Sequence, residues 1–428
     1  MPTRPLIHAV GEWLIDQALD RPDVLDMFRQ TCRKLDAAGV PVARARLTWQ
    51  TLHPLFRAET ILWRRNDDDM EFEQFRHRDE ATAEWNASPM KYMMDNDVDV
   101  LRRHLSGPHE RLDFPILHDM KAQGLTDYLV VLTSLDGSDF RDYRIGPGPA
   151  LDLERDARGI ILTWASDRED GFADEDIEAL QNIQRRFAVA VKTSIQERIA
   201  RNVAETYLGQ DAGRRVLSGQ IKRGDGRRCS VIAWFCDMRS STAFADTMEP
   251  DAFLQLLNGY FDVTAGAVMA HEGEVLGFIG DAVLAIFPFD GAEAERDAAA
   301  RAVSAAEEAV ATMGAVNRER EMAGEPALRF GVGIHSGEVV LGNIGTADRL
   351  AYTAIGSVLN EVSRIESLTK ALDCDVIVSE RVAALDPERW SGVGAHSLSG
   401  VAKPCELFVQ ANADLPVAQS ARTEHRAH

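Results

Sequence analysis

Two aspartates in the C-terminal half of the sequence follow strand-like apolar runs and could share a divalent cation. Asp237 comes directly after the run Val231–Cys236, and Asp281 follows Gly280 between two apolar runs that predict a hairpin with a tight turn. Mg²⁺ prefers oxygen ligands and commonly uses one or two carboxylates together with phosphates. Taken alone, Asp237 is more simply a helix N-cap and Asp281 a turn residue. Taken together, they predict a metal site on carboxylates.

A candidate phosphate site follows the first aspartate. Ser240, Ser241 and Thr242 lie between the predicted strand and the predicted apolar helix Phe253–Ala270. A strand that delivers a carboxylate to a turn at a helix N-terminus suits a metal bound to phosphate, because free backbone amides there attract anions. By itself the pattern is weakly specific.

Asn360 and Arg364 stand four residues apart on a predicted helix and therefore project from it as neighbours. Such a pair on a helix surface is usually just solvated, so the spacing alone indicates a possible site and no more. The apolar face of the same predicted helix consists of Val358, Leu359, Val362 and Ile365.

Glycines and histidines in this half do not indicate another kind of site. The spacing of Gly331, Gly333 and Gly337 is not the G-x-G-x-x-G fingerprint, which excludes a Rossmann interpretation. His271 and His335 are isolated histidines beside glycines, and we interpret both as structural.

Composition narrows the class of protein. The 428 residues carry a formal net charge of −21, which argues against nucleic acid or anionic membranes as main partners. No apolar run approaches the roughly 18 residues of a membrane span, and the N-terminus lacks a secretory signal, so we expect a cytoplasmic protein. Five scattered cysteines and eleven histidines show neither a disulfide framework nor zinc-ligand spacing. Any metal must therefore bind to carboxylates.

The N-terminal region mixes helical and strand patterns. Apolar residues in Gly11–Leu35 recur near helical spacing, whereas Asp127–Ser134 and Gly159–Ala165 are typical of strands. Between these two strands, Gly137–Pro149 is rich in glycine and proline and predicts a loop. No chemistry can be assigned to this region from its residues.

A long amphipathic helix follows, with Asp174 as a plausible N-cap and an end near Gly209. Its apolar face suits one of two arrangements. The helix could pair with the same helix of a second chain, or it could pack in the core of the first domain and extend beyond it. The apolar positions are Ile177, Leu180, Ile183, Phe187, Val191, Ile195, Ile199 and Val203. We therefore predict a first domain at 1–173, a helical linker at 174–224 that could pair two chains, a second domain at 225–412 and a disordered tail at 413–428.

In combination, these motifs are highly specific. From about Arg227 to Gln410 the chain resembles a class III nucleotidyl cyclase catalytic domain. The residues that carry the resemblance are Phe235–Asp237, Ser240–Thr242, Phe278–Pro288, Gly333–Gly337, Tyr352–Gly356, Asn360 and Arg364. The resemblance implies a ferredoxin-like α/β domain that works as a head-to-tail homodimer, with each active site built from both chains.

The resemblance also implies a role for each matching residue. Asp237 and Asp281 would hold two Mg²⁺ or Mn²⁺ ions, with the backbone carbonyl of Cys236 as a further ligand. Asn360 from the partner chain would orient the ribose, and Arg364 would stabilise charge on the α-phosphate. The amides that would cradle the triphosphate belong to Ser240, Ser241 and Thr242.

Base preference is where this chain departs from the family. Gly277 occupies the position at which similar adenylate cyclases carry an adenine-reading lysine, while Thr353 fits the position of its partner. The acidic residue and cysteine of guanylate cyclases are also missing, and Val401 replaces a basic phosphate contact found in some members. ATP is the leading substrate, and GTP or a pyrimidine triphosphate is an alternative. A nucleotide-binding regulatory module with little turnover is a further alternative.

The N-terminal region resembles a GAF-like sensor only faintly, through its last strand-like run and the residues Gly171–Leu180 that lead into the long helix. In that family such helices connect a regulatory domain to an output domain across a dimer. The resemblance implies a small-molecule or protein signal, which the residues do not identify. The predicted fold class is therefore α/β throughout, a GAF-like domain followed by a helical linker and a ferredoxin-like cyclase domain.

Overall fold

The structure of the protein is a computed structural model, and it describes residues 4–20, 23–67, 70–77, 82–135, 159–401 and 404–411. The predicted loop Gly137–Pro149 and the predicted tail 413–428 lie outside the described residues. The chain divides into two compact units, Met1–Thr206 and Tyr207–His428. No helix among the described residues combines the length and the apolar character needed to cross a membrane.

The first unit is built on an antiparallel sheet with the strand order β3-β2-β1-β6-β5-β4. Its strands are β1 Arg44–Gln50, β2 Phe56–Arg64, β3 Glu71–Arg76, β4 Val100–His104, β5 Asp127–Ser134 and β6 Gly159–Ser166. The two predicted strands are thus confirmed as neighbours in the sheet. All eight residues of β6 are buried, in keeping with its place inside the sheet.

Helices cover both faces of this sheet. They are α1 Arg4–Leu19, α2 Val24–Ala37, α3 Ala83–Asn86, α4 Pro89–Asp95, α5 Pro115–Ala122 and α6 Asp174–Leu208. Side chains of β5 alternate between two cores, with Leu129 and Val131 packed with α1, α2 and α6, and Tyr128 and Val130 packed with α4 and α5. The apolar pattern of Gly11–Leu35 therefore belongs to two helices.

Helix α6 begins at Asp174 itself, so the prediction of Asp174 as N-cap was wrong by one position. The carboxylate of Asp176 accepts the amide of Ala173 at 2.8 Å and satisfies that end of the helix. The buried part of the apolar stripe, Ile183, Phe187, Val191, Ile195 and Ile199, lies in the core of the first unit. Most of this apolar face is therefore buried within one chain, and pairing of the helix with a second chain stays a prediction.

The second unit contains a second sheet, ordered β13-β14-β12-β10-β7-β9-β8, with β11 paired to β10. Its strands are β7 Gly226–Met238, β8 Glu274–Ile279, β9 Ala282–Phe289, β10 Phe330–Gly345, β11 Leu350–Ile355, β12 Val376–Ser379, β13 Trp390–His396 and β14 Cys405–Gln410. Its helices are α7 Gln210–Leu217, α8 Ser241–Thr247, α9 Pro250–Ala270, α10 Ala292–Met322, α11 Ser357–Ala371 and α12 Glu380–Ala383. The series β7-α9-β8-β9-α10-β10 is the βαββαβ arrangement of ferredoxin-like folds, which confirms the fold predicted for this unit.

The glycines of β10 allow α11 to pack closely against the sheet. A Cβ at Gly333 would lie 2.6 Å from the carbonyl oxygen of Val362, and one at Gly337 would lie 2.9 Å from the Cβ of Val358. Both glycines alternate with Val332 and Ile334, which pack in the core on the opposite face with α9 and α10. The glycine spacing therefore serves helix-to-strand packing.

Candidate active site

Strand β7 and the β8–β9 hairpin bring Asp237 and Asp281 together. Asp281 follows Gly280, whose φ of 65° provides the left-handed turn conformation that glycine adopts without strain. Strand β9 returns antiparallel to β7 with Val283 opposite Cys236, so the turn lies beside the end of β7 that carries Asp237. The predicted hairpin is thus confirmed.

The two carboxylates lie in a poorly solvated place. Burial, followed by the neighbouring Asp281 carboxylate, raises the pKa of Asp237 to about 6. Oδ2 of Asp281 is buried and has no hydrogen-bond partner among the described residues. A divalent cation would offset the repulsion between the carboxylates and satisfy this oxygen, so the donor set fits a hard metal ion.

Other protein donors are few. No group of three or more His, Cys, Asp or Glu side chains in the described part of the chain could hold a metal ion. Mg²⁺ commonly uses one or two carboxylates and takes its other ligands from water and phosphates. The thiol of Cys236 is buried against the hydroxyl of Tyr260 at 2.9 Å, and burial raises its pKa well above the usual range. The thiol is therefore engaged within the core, and the backbone carbonyl of Cys236 stays the predicted ligand.

Glu366, which was not predicted from the sequence, is a third carboxyl group near this pair. It is 7% exposed on α11, and burial, followed by the charge of Asp237, raises its pKa to about 8. Its Oε1 accepts a long hydrogen bond of 3.4 Å from the hydroxyl of Thr369. Glu366 lies four residues after Val362 on the apolar face of the helix, and a carboxylate in that stripe is the sequence signal that could have identified it. Burial therefore favours the neutral form of this group.

Arg239 joins the end of β7 to the C-terminal end of α11. Its Nη2 donates to the carbonyl oxygen of Cys374 at 2.6 Å and, more weakly, to that of Thr369 at 3.3 Å. Nη1 lies 3.6 Å from a carboxylate oxygen of Asp373. These contacts tie the aspartate-bearing strand to the helix of Asn360 and Arg364, and nothing in the local sequence pattern predicts them.

The segment Ser240–Thr242 forms the turn into α8. Ser240 has a φ of 64°, a left-handed conformation that is uncommon outside glycine, and its carbonyl oxygen accepts the amide of Ala243 at 3.0 Å. Non-glycine residues in this conformation persist where the surroundings enforce them, and they cluster at ligand sites. The predicted phosphate-binding segment therefore has an unusual backbone next to the aspartates.

Asn360 and Arg364 lie on the exposed surface of α11, as the spacing predicted. Neither side chain makes a hydrogen bond or ion pair with Asp237 or Asp281 within the described chain. One copy of the chain therefore does not bring the two pairs into contact. The apolar face of α11 is confirmed, since Val358, Val362 and Ile365 are buried.

The two predicted base-reading positions lie on different strands. Gly277 is opposite Leu284 in the β8–β9 pair, and Thr353 is opposite Gly342 in the β10–β11 pair. A Cβ at Gly277 would meet no atom within 4 Å, so packing does not require glycine there. The structure leaves room for a larger side chain at this position.

Comparison with known proteins finds similarity over most of the second unit. Residues 226–394 match the family model of the adenylate and guanylate cyclase catalytic domain. The chain is 30% identical over 218 residues to an adenylate cyclase of Anabaena cylindrica, a match covering 49% of this chain and 42% of the relative. It is 34% identical over 196 residues to adenylate cyclase 1 of Rhizobium meliloti (strain 1021), covering 45% of this chain and 29% of the relative. The match thus spans less than half the length of either relative.

Solved structures give a weaker similarity. An adenylyl cyclase from P. aeruginosa superposes with a TM-score of 0.40 and 24% identity, covering 46% of this chain and 98% of that structure. A guanylyl cyclase superposes with a TM-score of 0.38 and 28% identity, covering 45% of this chain and 99% of that structure.

Proposed function

We propose that this chain, whose residues 226–394 match the family model of the adenylate and guanylate cyclase catalytic domain, converts ATP to 3′,5′-cyclic AMP and pyrophosphate. The pair Asp237 and Asp281 carries the proposal. Burial and the neighbouring Asp281 carboxylate raise the pKa of Asp237, and Oδ2 of Asp281 has no hydrogen-bond partner among the described residues. The adenylate cyclases among the relatives support ATP as the substrate.

Asp237, Asp281 and the backbone carbonyl of Cys236 would hold two Mg²⁺ or Mn²⁺ ions. When bound, such ions supply Lewis-acid stabilisation of charge on phosphoryl oxygens and help to orient the reacting groups. The carboxylates must be ionised to bind a cation. Because the pKa of Asp237 is about 6, we expect the site to be competent from neutral pH upwards.

The remaining residues position the triphosphate and the ribose. In the reaction the ribose 3′-oxygen forms a bond to the α-phosphorus, the 3′-hydroxyl proton is lost, and the bond from the α-phosphorus to pyrophosphate breaks. Arg364 suits the charge that develops on the α-phosphate, because guanidinium is permanently charged and has forked donors. Asn360 would hold the ribose, and the amides of Ser240–Thr242 would hold the triphosphate.

A homodimer would complete each site. Asn360 and Arg364 are exposed and separate from the aspartates in one copy, so a second copy is the simplest source of the missing half. Apolar residues support such a contact, since Phe278 and Ile279 at the tip of β8 and Ile355 at the end of β11 are more than half exposed. Each dimer would contain two equivalent sites, related by two-fold symmetry.

The base preference follows from Gly277 and Thr353. A site with both base-reading side chains can reject analogues by about 10⁴-fold or more, and this chain has lost one of them. We therefore expect ATP to be preferred by a smaller margin, with GTP or a pyrimidine triphosphate as the alternative. Because the space beside Gly277 is open, Gly277→Lys should fold normally and increase the preference for ATP.

The first unit would regulate this activity. Helix α6 leads from the core of the first unit to the start of the second, so a signal that changes its position could change the dimer arrangement. The signal would be a small molecule or a protein, and the direction of its effect stays open.

The proposal is tested by incubating the purified chain with Mg²⁺ or Mn²⁺ and each of ATP, GTP, CTP and UTP, with mass spectrometry of the products. Asp281→Asn and an EDTA-treated sample serve as controls. We expect cyclic AMP as the main product, and its loss in both controls. A different cyclic nucleotide would make Gly277 a change of specificity. Absence of any cyclic product would favour a nucleotide-binding module with little turnover.

A further inference from the structure

His335 lies on the face of β10 that packs against α11, at the strand position between Gly333 and Gly337. Its Nε2 is 3.0 Å from Oε2 of Glu361 on α11, and its Nδ1 is 2.8 Å from the hydroxyl of Ser379 at the end of β12. The Ser379 side chain is buried, and that of His335 is only 14% exposed. His335 therefore links three elements in a poorly solvated place.

The chemistry of the two partners fixes the direction of both hydrogen bonds. An ionised carboxylate only accepts, so Nε2–H of His335 donates to Glu361 and Nδ1 accepts from the hydroxyl of Ser379. Burial lowers the pKa of His335, which keeps this neutral form at neutral pH. The imidazole is thus held in one tautomer and one orientation.

Glu361 has a second potential partner on its own helix. Arg364 is three residues further along α11, and a glutamate and an arginine at this spacing are surface neighbours that attract each other. In the structure the carboxylate of Glu361 is bonded to His335 instead, and Arg364 has no ion pair with any residue that the structure describes. The guanidinium of Arg364 is left exposed.

We propose that His335 is a positioning residue that holds the carboxylate of Glu361 away from Arg364, so that the guanidinium stays free for the α-phosphate. This inference rests on the proposed cyclase function. Without His335, Glu361 becomes an internal competitor of the phosphate for the same guanidinium. A misplaced catalytic group of this kind typically lowers turnover by about 10- to 100-fold.

The carboxylate of Glu361 can be removed by substitution, so its competition for Arg364 can be tested directly. His335→Ala should lower kcat for ATP by about 10- to 100-fold with KM within about threefold, because contacts with the triphosphate remain. Adding Glu361→Ala to His335→Ala should restore kcat to within about fivefold of the wild-type value, because no carboxylate then competes for Arg364. A merely structural role of His335 predicts that the double variant is at least as impaired as the single one.

The chain offers a matched control in a second histidine–glutamate pair. Nε2 of His271, at the end of α9, lies 2.8 Å from Oε2 of Glu308 on α10, away from α11. His271→Ala should leave kcat unchanged. Should His335→Ala fail to fold by circular dichroism, His335→Gln and His335→Asn replace it. Gln reaches far enough to donate to Glu361 and should retain activity, whereas Asn does not and should lose it.

The outcomes distinguish failure of this inference from failure of the proposed function. Full activity of His335→Ala, or of His335→Asn where that variant replaces it, overturns the inference and leaves the proposed function intact. A double variant that stays as impaired as His335→Ala overturns it as well, because competition by Glu361 is then not the cause. Absence of cyclic product from the wild-type chain itself overturns the proposed function, and this inference with it.

Discussion

The buried carboxylates of the first unit and the carboxyl groups of the candidate site in the second unit have different neighbours. In the first unit each lies beside an arginine: Asp127 is 2.7 Å from Nη2 of Arg102, and Glu59 is 2.7 Å from Nε of Arg198. Asp127 also accepts the backbone amide of Phe172 at 2.8 Å. These groups are neutralised within the fold.

In the second unit Asp237, Asp281 and Glu366 instead lie near other carboxyl groups. None of the three has an ion pair with a described residue. Burial and mutual repulsion raise the pKa of Asp237 to about 6 and that of Glu366 to about 8. Carboxylates without a cationic partner in the protein suit an external cation, so this difference supports the proposed metal site.

The largest expected effect is on activity. Asp281→Asn removes a metal ligand and should lower kcat/KM by roughly 10³-fold, since Lewis-acid stabilisation contributes several kcal/mol to such reactions. The melting temperature should not fall, because no arginine loses a partner. Product formation and thermal unfolding measure the two effects. A variant with near-full activity would show that Asp281 lies outside the site.

The opposite result is expected in the first unit. Asp127→Ala leaves Arg102 without its carboxylate partner and the amide of Phe172 without its acceptor, and should destabilise this unit by about 3–5 kcal/mol. Urea unfolding measures the change. Asp95→Ala is the matched control, because Asp95 pairs with Lys91 on the surface and its loss should cost less than about 1 kcal/mol. Equal effects of the two substitutions would remove the contrast between the units.

A smaller effect depends on pH. The folded-state pKa of Glu366, about 8, lies above the ordinary value of 4.5, so its stabilising contribution is complete below pH 4.5 and is lost as the pH rises through 8. Glu366→Gln cannot titrate and should therefore gain stability relative to wild type between pH 5 and 8, by at most about 1.4 kcal/mol per pH unit. Urea unfolding in EDTA measures this difference. A difference that is constant with pH would show that Glu366 does not titrate there.

The parts of the site that follow from local pattern could be predicted from the sequence. Gly280 between two apolar runs indicates a hairpin, and the four-residue spacing of Asn360 and Arg364 places them on one exposed surface of α11. The start of α6 was misplaced by one residue because Asp174 and Asp176 are both plausible capping residues, and only the contact with Ala173 decides between them.

The parts that depend on tertiary packing could not be predicted. Glu366 approaches Asp237 only because the glycines of β10 let α11 lie close to the sheet. The link from His335 to Glu361 likewise joins residues 26 positions apart on different elements. The position of Glu366 in the apolar stripe of α11 signals that it is buried, but the partner that either side chain meets on another element is not visible in the sequence.

The central claim is that the two aspartates and Arg364 act together across two copies of the chain. It is tested most directly by mixing Asp237→Ala chains with Arg364→Ala chains, each inactive alone, and measuring cyclic AMP formation. We expect about a quarter of wild-type activity, because half of randomly mixed dimers are heterodimers and each has one intact site. A mixture that stays inactive, although heterodimers are shown to form, would contradict the shared site.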